Sequence, residues 1–239
     1  MIVLDDLTVS FGAVRPLDEL SLTIAAPTHG IIGPNGAGKT TLLNAFSGFA
    51  GSISGRITVF GEDITAMSPR RRAIWGVRRT FQTVQLADDL SARDNIVISV
   101  DHCPHGFGHK HDAADAVCEL VGLDDPNRLA SELSTYERRL TEIARALAGK
   151  PRLVLMDEPA AGVSSSERTL LSELLRNLAE STGAWLILID HDVELISAVC
   201  ETATALDFGA HVASGPTADV LADPLVAEAY LGSGASGAV

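Results

Sequence analysis

Four stretches of this chain carry residues whose types and spacing suit chemistry on phosphates. Gly33-Pro34-Asn35-Gly36-Ala37-Gly38-Lys39-Thr40 fits G-x-x-x-x-G-K-[ST]. Its glycines let backbone N–H groups face the β- and γ-phosphates of a nucleotide, Lys39 adds a cation and Thr40 a Mg²⁺ ligand. Leu153-Val154-Leu155-Met156 runs into Asp157-Glu158, two carboxylates at the strand edge where α/β sheets place ligands. Asp157 suits Mg²⁺, held through water, and Glu158 suits a general base that polarises the attacking water. Alone, such a pair reads as a surface turn; the glycine-rich loop upstream reverses that reading. Gln82, after Arg79-Thr80-Phe81, is a candidate ligand for Mg²⁺ or the attacking water, and His191, after Leu186 to Asp190, a candidate donor to the γ-phosphate. Each equally suits a structural polar group. Phe11 is a candidate to stack on adenine, with core packing as its alternative.

The elements that must position these residues follow from periodicity. Ile2 to Ile24 alternates, with turns at Phe11-Gly12 and near Pro27, which predicts an antiparallel β layer. Gly30-Ile31-Ile32 reads as a strand running into the glycine loop, with a helix from near Gly38: the order phosphate binding requires. Residues 56–60 and 77–81 read as further strands, and 88–148 as an inserted helical segment. Strands at Leu153–Met156 and Trp185–Ile189 then alternate with helices at Ser165–Ser181 and Val193–Val199, the pattern of a parallel α/β sheet. The tail 232–239, GSGASGAV, is Gly/Ser-rich and reads as flexible.

The 239 residues carry 46% hydrophobic and 21% charged side chains, an ordinary globular balance. A net charge of −13 argues against nucleic acid as a partner. Cys103, Cys118 and Cys200 have no paired spacing, which suits a reducing compartment. No apolar run approaches membrane-spanning length, and acids stand near the N-terminus where a signal peptide carries bases, so membrane association is expected to run through a protein partner. His102, Cys103, His105, His109 and His111 gather imidazoles and a thiol that suit Zn²⁺ or Ni²⁺, although the stretch reads better as a solvated loop.

GPNGAGKTT at Gly33 to Thr41, GEDIT at Gly61 to Thr65, RTFQ at Arg79 to Gln82, EIARALA at Glu142 to Ala148, DEPAAG at Asp157 to Gly162, DHD at Asp190 to Asp192 and AYLG at Ala229 to Gly232 together resemble the ATP-binding-cassette ATPases of importers for branched-chain amino acids and related polar compounds. The resemblance covers nearly the whole chain. It implies an α/β P-loop NTPase (RecA-like) core with an antiparallel β subdomain, made of 1–87 and 149–231, and an inserted helical subdomain at 88–148. It makes Gly33 to Thr41 the Walker A motif, with Asn35, Gly36, Ala37, Gly38, Lys39, Thr40 and Thr41 on the nucleotide. It places Gln82 in the Q-loop, makes Asp157 and Glu158 Walker B with its catalytic base, and makes His191 the switch histidine. It further implies ATP and Mg²⁺, an integral permease as partner, indirectly a substrate-binding protein, a peripheral position on the cytoplasmic face of the membrane, and a sandwich in which two ATPase subunits close over each other's nucleotide.

Two segments depart from the family pattern. Where Leu-Ser-Gly-Gly-Gln is expected stands Leu133-Ser134-Thr135-Tyr136-Glu137; both glycines are gone, although Ser134 followed by Glu137 predicts a capping box and so a helix start. Gly162-Val163-Ser164 carries serine where the family commonly has aspartate. By the resemblance the first serves the nucleotide held by the partner subunit, with Ser134 as the remaining contact, and the second bears on communication across the dimer interface. Both lie mainly on the partner-facing side, which points to a heterodimer with one weak site, a homodimer being the alternative. Other readings are an exporter ATPase of the lipopolysaccharide-transport type, which Glu137 to Ala148 and Ala198 to Glu201 also suit, and an ATP-dependent binding module with little turnover.

Overall fold

The computed structural model describes residues 1–101 and 110–232. The histidine- and cysteine-bearing loop, apart from His111, and tail residues 233–239 lie outside the described residues. The N-terminal alternation forms β1 (Ile2–Phe11) and β2 (Val14–Ile24), joined through Gly12 at φ +62°. With β4 (Ser52–Val59) and the short β5 (Glu62–Asp63) they make an antiparallel sheet of order β2-β1-β4-β5. Strand β4 starts earlier than its apolar alternation suggests, because Gly55 at φ +83° lies against the Asp6 carbonyl, where a Cβ would come within 2.3 Å.

The second sheet has the order β10-β9-β3-β8-β7-β6. Strands β3 (Thr28–Ile32), β6 (Val77–Arg79), β7 (Leu153–Asp157), β8 (Trp185–Ile189) and β9 (Thr202–Asp207) run parallel, and β10 (Ala210–Pro216) returns antiparallel to β9. Side chains alternate between its two faces. Ile31, Leu153, Leu155, Ile187 and Ile189 pack with the antiparallel sheet and with α1 (Lys39–Ser47). Ile32, Val154, Met156, Leu186 and Leu188 pack on the opposite side with α6 (Ser165–Thr182), α7 (Val193–Val199) and the helical segment.

That segment holds α3 (Ala92–Asp101), α4 (Lys110–Leu120) and α5 (Thr135–Leu147), preceded by α2 (Pro69–Trp75) in the core. Ile96, Cys118, Leu140 and Ile143 belong to the same buried cluster as the sheet, so the helices have no separate core. The chain closes with α8 (Thr217–Ala222) and α9 (Pro224–Gly232), so Gly232 ends a helix instead of opening the tail. The expected strand 77–81 is shorter than predicted: it ends at Arg79, with the Thr80 N–H still on the Leu155 carbonyl, because α5 captures the Phe81 and Gln82 peptide groups. Glu142 Oε1 accepts from the Phe81 N–H at 3.0 Å, and Arg139 donates to the Phe81 and Gln82 carbonyls at 2.9 and 3.0 Å.

One buried group makes the fold pH-sensitive. His29 on β3 is 3% exposed, with Nδ1 2.8 Å from Thr202 Oγ1 and Nε2 3.0 Å from Thr204 Oγ1. Burial pushes its pKa down to about 4 from an ordinary 6.5. A depressed histidine contributes stability that is present above the unfolded pKa and is lost as pH falls through the folded one. Wild-type protein is therefore expected to lose up to about 3 kcal/mol through this group between pH 6.5 and 4, and His29→Asn to show a flatter profile, measured as denaturant midpoints across that window.

Candidate nucleotide site

Lys39, Thr40, Asp157, Glu158 and His191 gather at the C-terminal ends of β3, β7 and β8, which are neighbours in the sheet, and Gln82 follows the adjacent β6. The loop after β3 turns on glycines that accept no substitute. Gly33 has φ +146° and Gly38 φ +95°; a Cβ on the first would meet the Leu206 carbonyl oxygen at 2.2 Å, and on the second the Pro16 carbonyl oxygen at 2.5 Å. Helix α1 then starts at Lys39 with Gly38 as its N-cap, no side-chain cap and no acid in its first turn. Its first N–H groups and positive dipole end are left for an anion.

A cavity of about 490 Å³ opens over this loop, lined by Asn35 to Thr41, Glu158, Val14, Arg15, Pro16 and Phe208. Lys39 Nζ donates to the Gly33 and Pro34 carbonyls at 2.6 and 2.9 Å. Burial lowers its pKa, while the charges of Glu158 and Asp157 pull it back up. Both carboxylates therefore lie within electrostatic reach of the loop, as phosphate chemistry needs.

Glu158 sits in the left-handed region at φ +48°, with its N–H on the Ile189 carbonyl at 2.7 Å. A bulky residue there is unusual and is held by its surroundings. Its Oε2 accepts from Gln82 Nε2 at 2.9 Å and lies 3.9 Å from His191 Nδ1. The sheet thus brings Gln82 and His191 to the same carboxylate, though His191 is largely exposed and makes no hydrogen bond to it. Asp157 is 7% exposed and bonded through Oδ2 to Arg79 Nη2 at 2.9 Å, leaving Oδ1. An alcohol from Thr40, a carboxylate oxygen from Asp157 and an amide from Gln82 form an oxygen donor set that fits Mg²⁺.

Phe11 is not a core residue: it is 49% exposed, its ring lies against Gly51, and it pairs across the β1–β2 turn with Val14, which lines the cavity. Ser134 caps α5 as its spacing predicts: Glu137 N–H donates to Ser134 Oγ at 3.2 Å, and Ser134 N–H donates to Glu137 Oε2 at 2.7 Å. That hydrogen bond, more than any other influence, holds the Glu137 pKa down; Arg128 Nη1 pairs with its other oxygen at 2.5 Å. Ser164 likewise caps α6 with Glu167.

Four contributors escaped the sequence reading. Arg79 and Arg139 lay inside quoted motifs without a role, and Phe208 occupies a turn whose strands were not anticipated. Tyr230 accepts from the Gly33 N–H at 2.9 Å and so links α9 to the phosphate loop; its only sequence signal was the AYLG stretch.

Comparison with known proteins agrees with this geometry. Residues 17–161 match the ABC transporter family model, and residues 211–236 match that of the branched-chain amino acid ATP-binding cassette transporter. The chain is 31% identical to the high-affinity branched-chain amino acid transport ATP-binding protein BraF of Pseudomonas aeruginosa, over 95% of both chains. It is 29% identical to LivG of Salmonella typhimurium, of the same description, over 97% of this chain and 98% of that one. A solved ATP-binding cassette of an ABC transporter in its ADP conformation superposes with a TM-score of 0.84 at 28% identity, covering 97% of this chain and 98% of that one. A P-loop closed by glycines, a Glu158 that gathers Gln82 and His191, and matches spanning almost the full length lead to one conclusion: the chain belongs to the ABC transporter family as an ATP-binding, ATP-hydrolysing subunit.

Proposed function

We propose that this chain powers the uptake of branched-chain amino acids or related polar compounds, acting from the cytoplasmic face of the membrane on an integral permease fed by a substrate-binding protein. The observation that carries the substrate class is the match of residues 211–236 to the branched-chain family model, at the end of a chain that BraF and LivG cover almost completely. No helix among the described residues is long and apolar enough to cross a membrane, and the path is assigned to the permease. A groove lined by Arg78, Phe81, Gln85, Ile98, Glu142 and Arg145 adjoins the Gln82 loop and is the proposed seat of a permease segment.

In the hydrolytic step the Gly33–Thr41 loop holds the triphosphate, and Lys39 exchanges its two carbonyl partners for phosphate oxygens. Mg²⁺, when bound by Thr40, Asp157 and Gln82, neutralises charge on the phosphates. Glu158 accepts hydrogen bonding from the attacking water, with Gln82 fixing the carboxylate, and His191 donates to the γ-phosphate.

The partner in the sandwich is a second, different ATPase subunit. Of the Ser134 groups that remain to face a partner's phosphate, the N–H is already given to Glu137, the Oγ accepts from the Glu137 N–H and keeps only its O–H to donate, and the Glu137 negative charge occupies the positive end of α5. Co-expression with candidate permease and second ATPase subunits, followed by leucine uptake into proteoliposomes, tests the reading. ATP-dependent uptake that disappears with Lys39→Ala supports it. ATP-driven movement of lipid-linked saccharide without amino-acid uptake would favour the exporter alternative.

A further inference from the structure

The three elements that carry the candidate cation ligands meet at one side chain, Arg79. It stands at the end of β6, three residues before Gln82, and its strand pairs with β7, which ends in Asp157. Its Nη2 donates to Asp157 Oδ2 at 2.9 Å, and its Nη1 donates to Asn44 Oδ1 at 2.5 Å and to Ser47 Oγ at 3.3 Å. Thr40, Asn44 and Ser47 follow one another at helical spacing along a single stripe of α1, with Thr40 at its phosphate end. Both sides of the Arg79–Asp157 pair are nearly buried, at 8% and 7% exposure.

We propose that Arg79 is the positioning residue of the divalent-cation site, an inference that rests on the nucleotide-site reading above. The guanidinium locks the helix bearing Thr40, the strand bearing Asp157 and the segment leading to Gln82 into one register. It takes Asp157 by Oδ2 so that Oδ1 remains for the cation or its water. A flexible ammonium cannot reach both α1 and β7 in this way, because the task needs a planar, forked donor. A buried ion pair that served packing alone would affect folding without touching metal affinity.

The test uses the full chain carrying Glu158→Gln, so that ATP is bound but not turned over, with Mn²⁺ binding followed by electron paramagnetic resonance. Arg79→Met is expected to weaken Mn²⁺ affinity by about tenfold, as loss of an outer-shell partner does, while ATP affinity measured in EDTA stays unchanged. Arg79→Lys should weaken it less. Mn²⁺ affinity that is unchanged, or that falls only in step with metal-free ATP affinity, overturns the proposal. Should Arg79→Met fail to fold, Arg79→Lys and Asn44→Ala replace it, and parental Mn²⁺ affinity in both overturns the proposal equally. A Glu158→Gln parent that binds no ATP sinks the nucleotide-site reading itself, which distinguishes the two failures.

Discussion

Glu158→Gln is expected to cut steady-state phosphate release from Mg²⁺-ATP by ~10²–10⁴-fold while ATP affinity stays close to that of the parent. The substitution keeps the shape and the left-handed backbone of Glu158 and removes only its charge and basicity. Its partners make the expectation specific. Gln82 Nε2 donates to Oε2 at 2.9 Å, and Lys39 feels the Glu158 charge across the phosphate loop. An amide in place of the carboxylate can no longer polarise water, yet it leaves the loop glycines, Lys39 and Thr40 in place to hold the triphosphate. Phosphate release and nucleotide binding, measured on the same preparations, check it. Undiminished turnover would move the base elsewhere, with His191, 3.9 Å from Glu158, as the next residue to replace.

Much of this site could be read from the sequence because its chemistry is local in the chain. Gly33 to Thr40 is a loop whose glycines are demanded by backbone clashes, with the Leu206 and Pro16 carbonyls closing on Gly33 and Gly38, so spacing alone reveals it. Asp157 and Glu158 end a fully buried strand, and the strand Trp185–Ile189 and the helix Val193–Val199 around His191 have the bounds that periodicity gave them. The capping box at Ser134 was legible for the same reason, since both partners lie within one helical turn.

What escaped is non-local. The segment after Arg79 looks like a strand because Thr80 and Phe81 are β-favouring, but Arg139 and Glu142 from α5 take the Phe81 peptide groups that the sheet would have used. No property of residues 77–82 by themselves announces that competition. The strands Thr202–Asp207 and Ala210–Pro216 are short, rich in alanine and interrupted by glycine, so their alternation is weak, and the exposed turn that brings Phe208 to the cavity was missed with them. Tyr230 reaches Gly33 across almost the entire chain, a contact only the folded sheet creates.

Restoring a regular signature is expected to raise the turnover of this chain alone by ~10²-fold or more, because each phosphate donor at such a site contributes on that scale. The variant combines Thr135→Gly, Tyr136→Gly and Glu137→Gln. In the wild-type chain Glu137 binds the Ser134 N–H at 2.7 Å and is itself held by Arg128, so the first turn of α5 satisfies its own donors and cancels its own dipole with a carboxylate. Glutamine removes that charge, and glycines at 135 and 136 let the backbone approach a phosphate that the Thr135 and Tyr136 side chains would hold away. Capping survives in neutral form, so the helix should keep its start. The two glycines and the lost packing of Tyr136 against the core should lower the melting temperature, so turnover is compared well below both transitions to separate a gain in chemistry from a change in folding. Phosphate release by purified homodimers decides the matter. A large gain means that the native signature is a weak second half and that a different subunit completes the working site. Equal, already substantial rates in both forms would mean that Leu133 to Glu137 works as it stands, and the heterodimer would lose its physical motive.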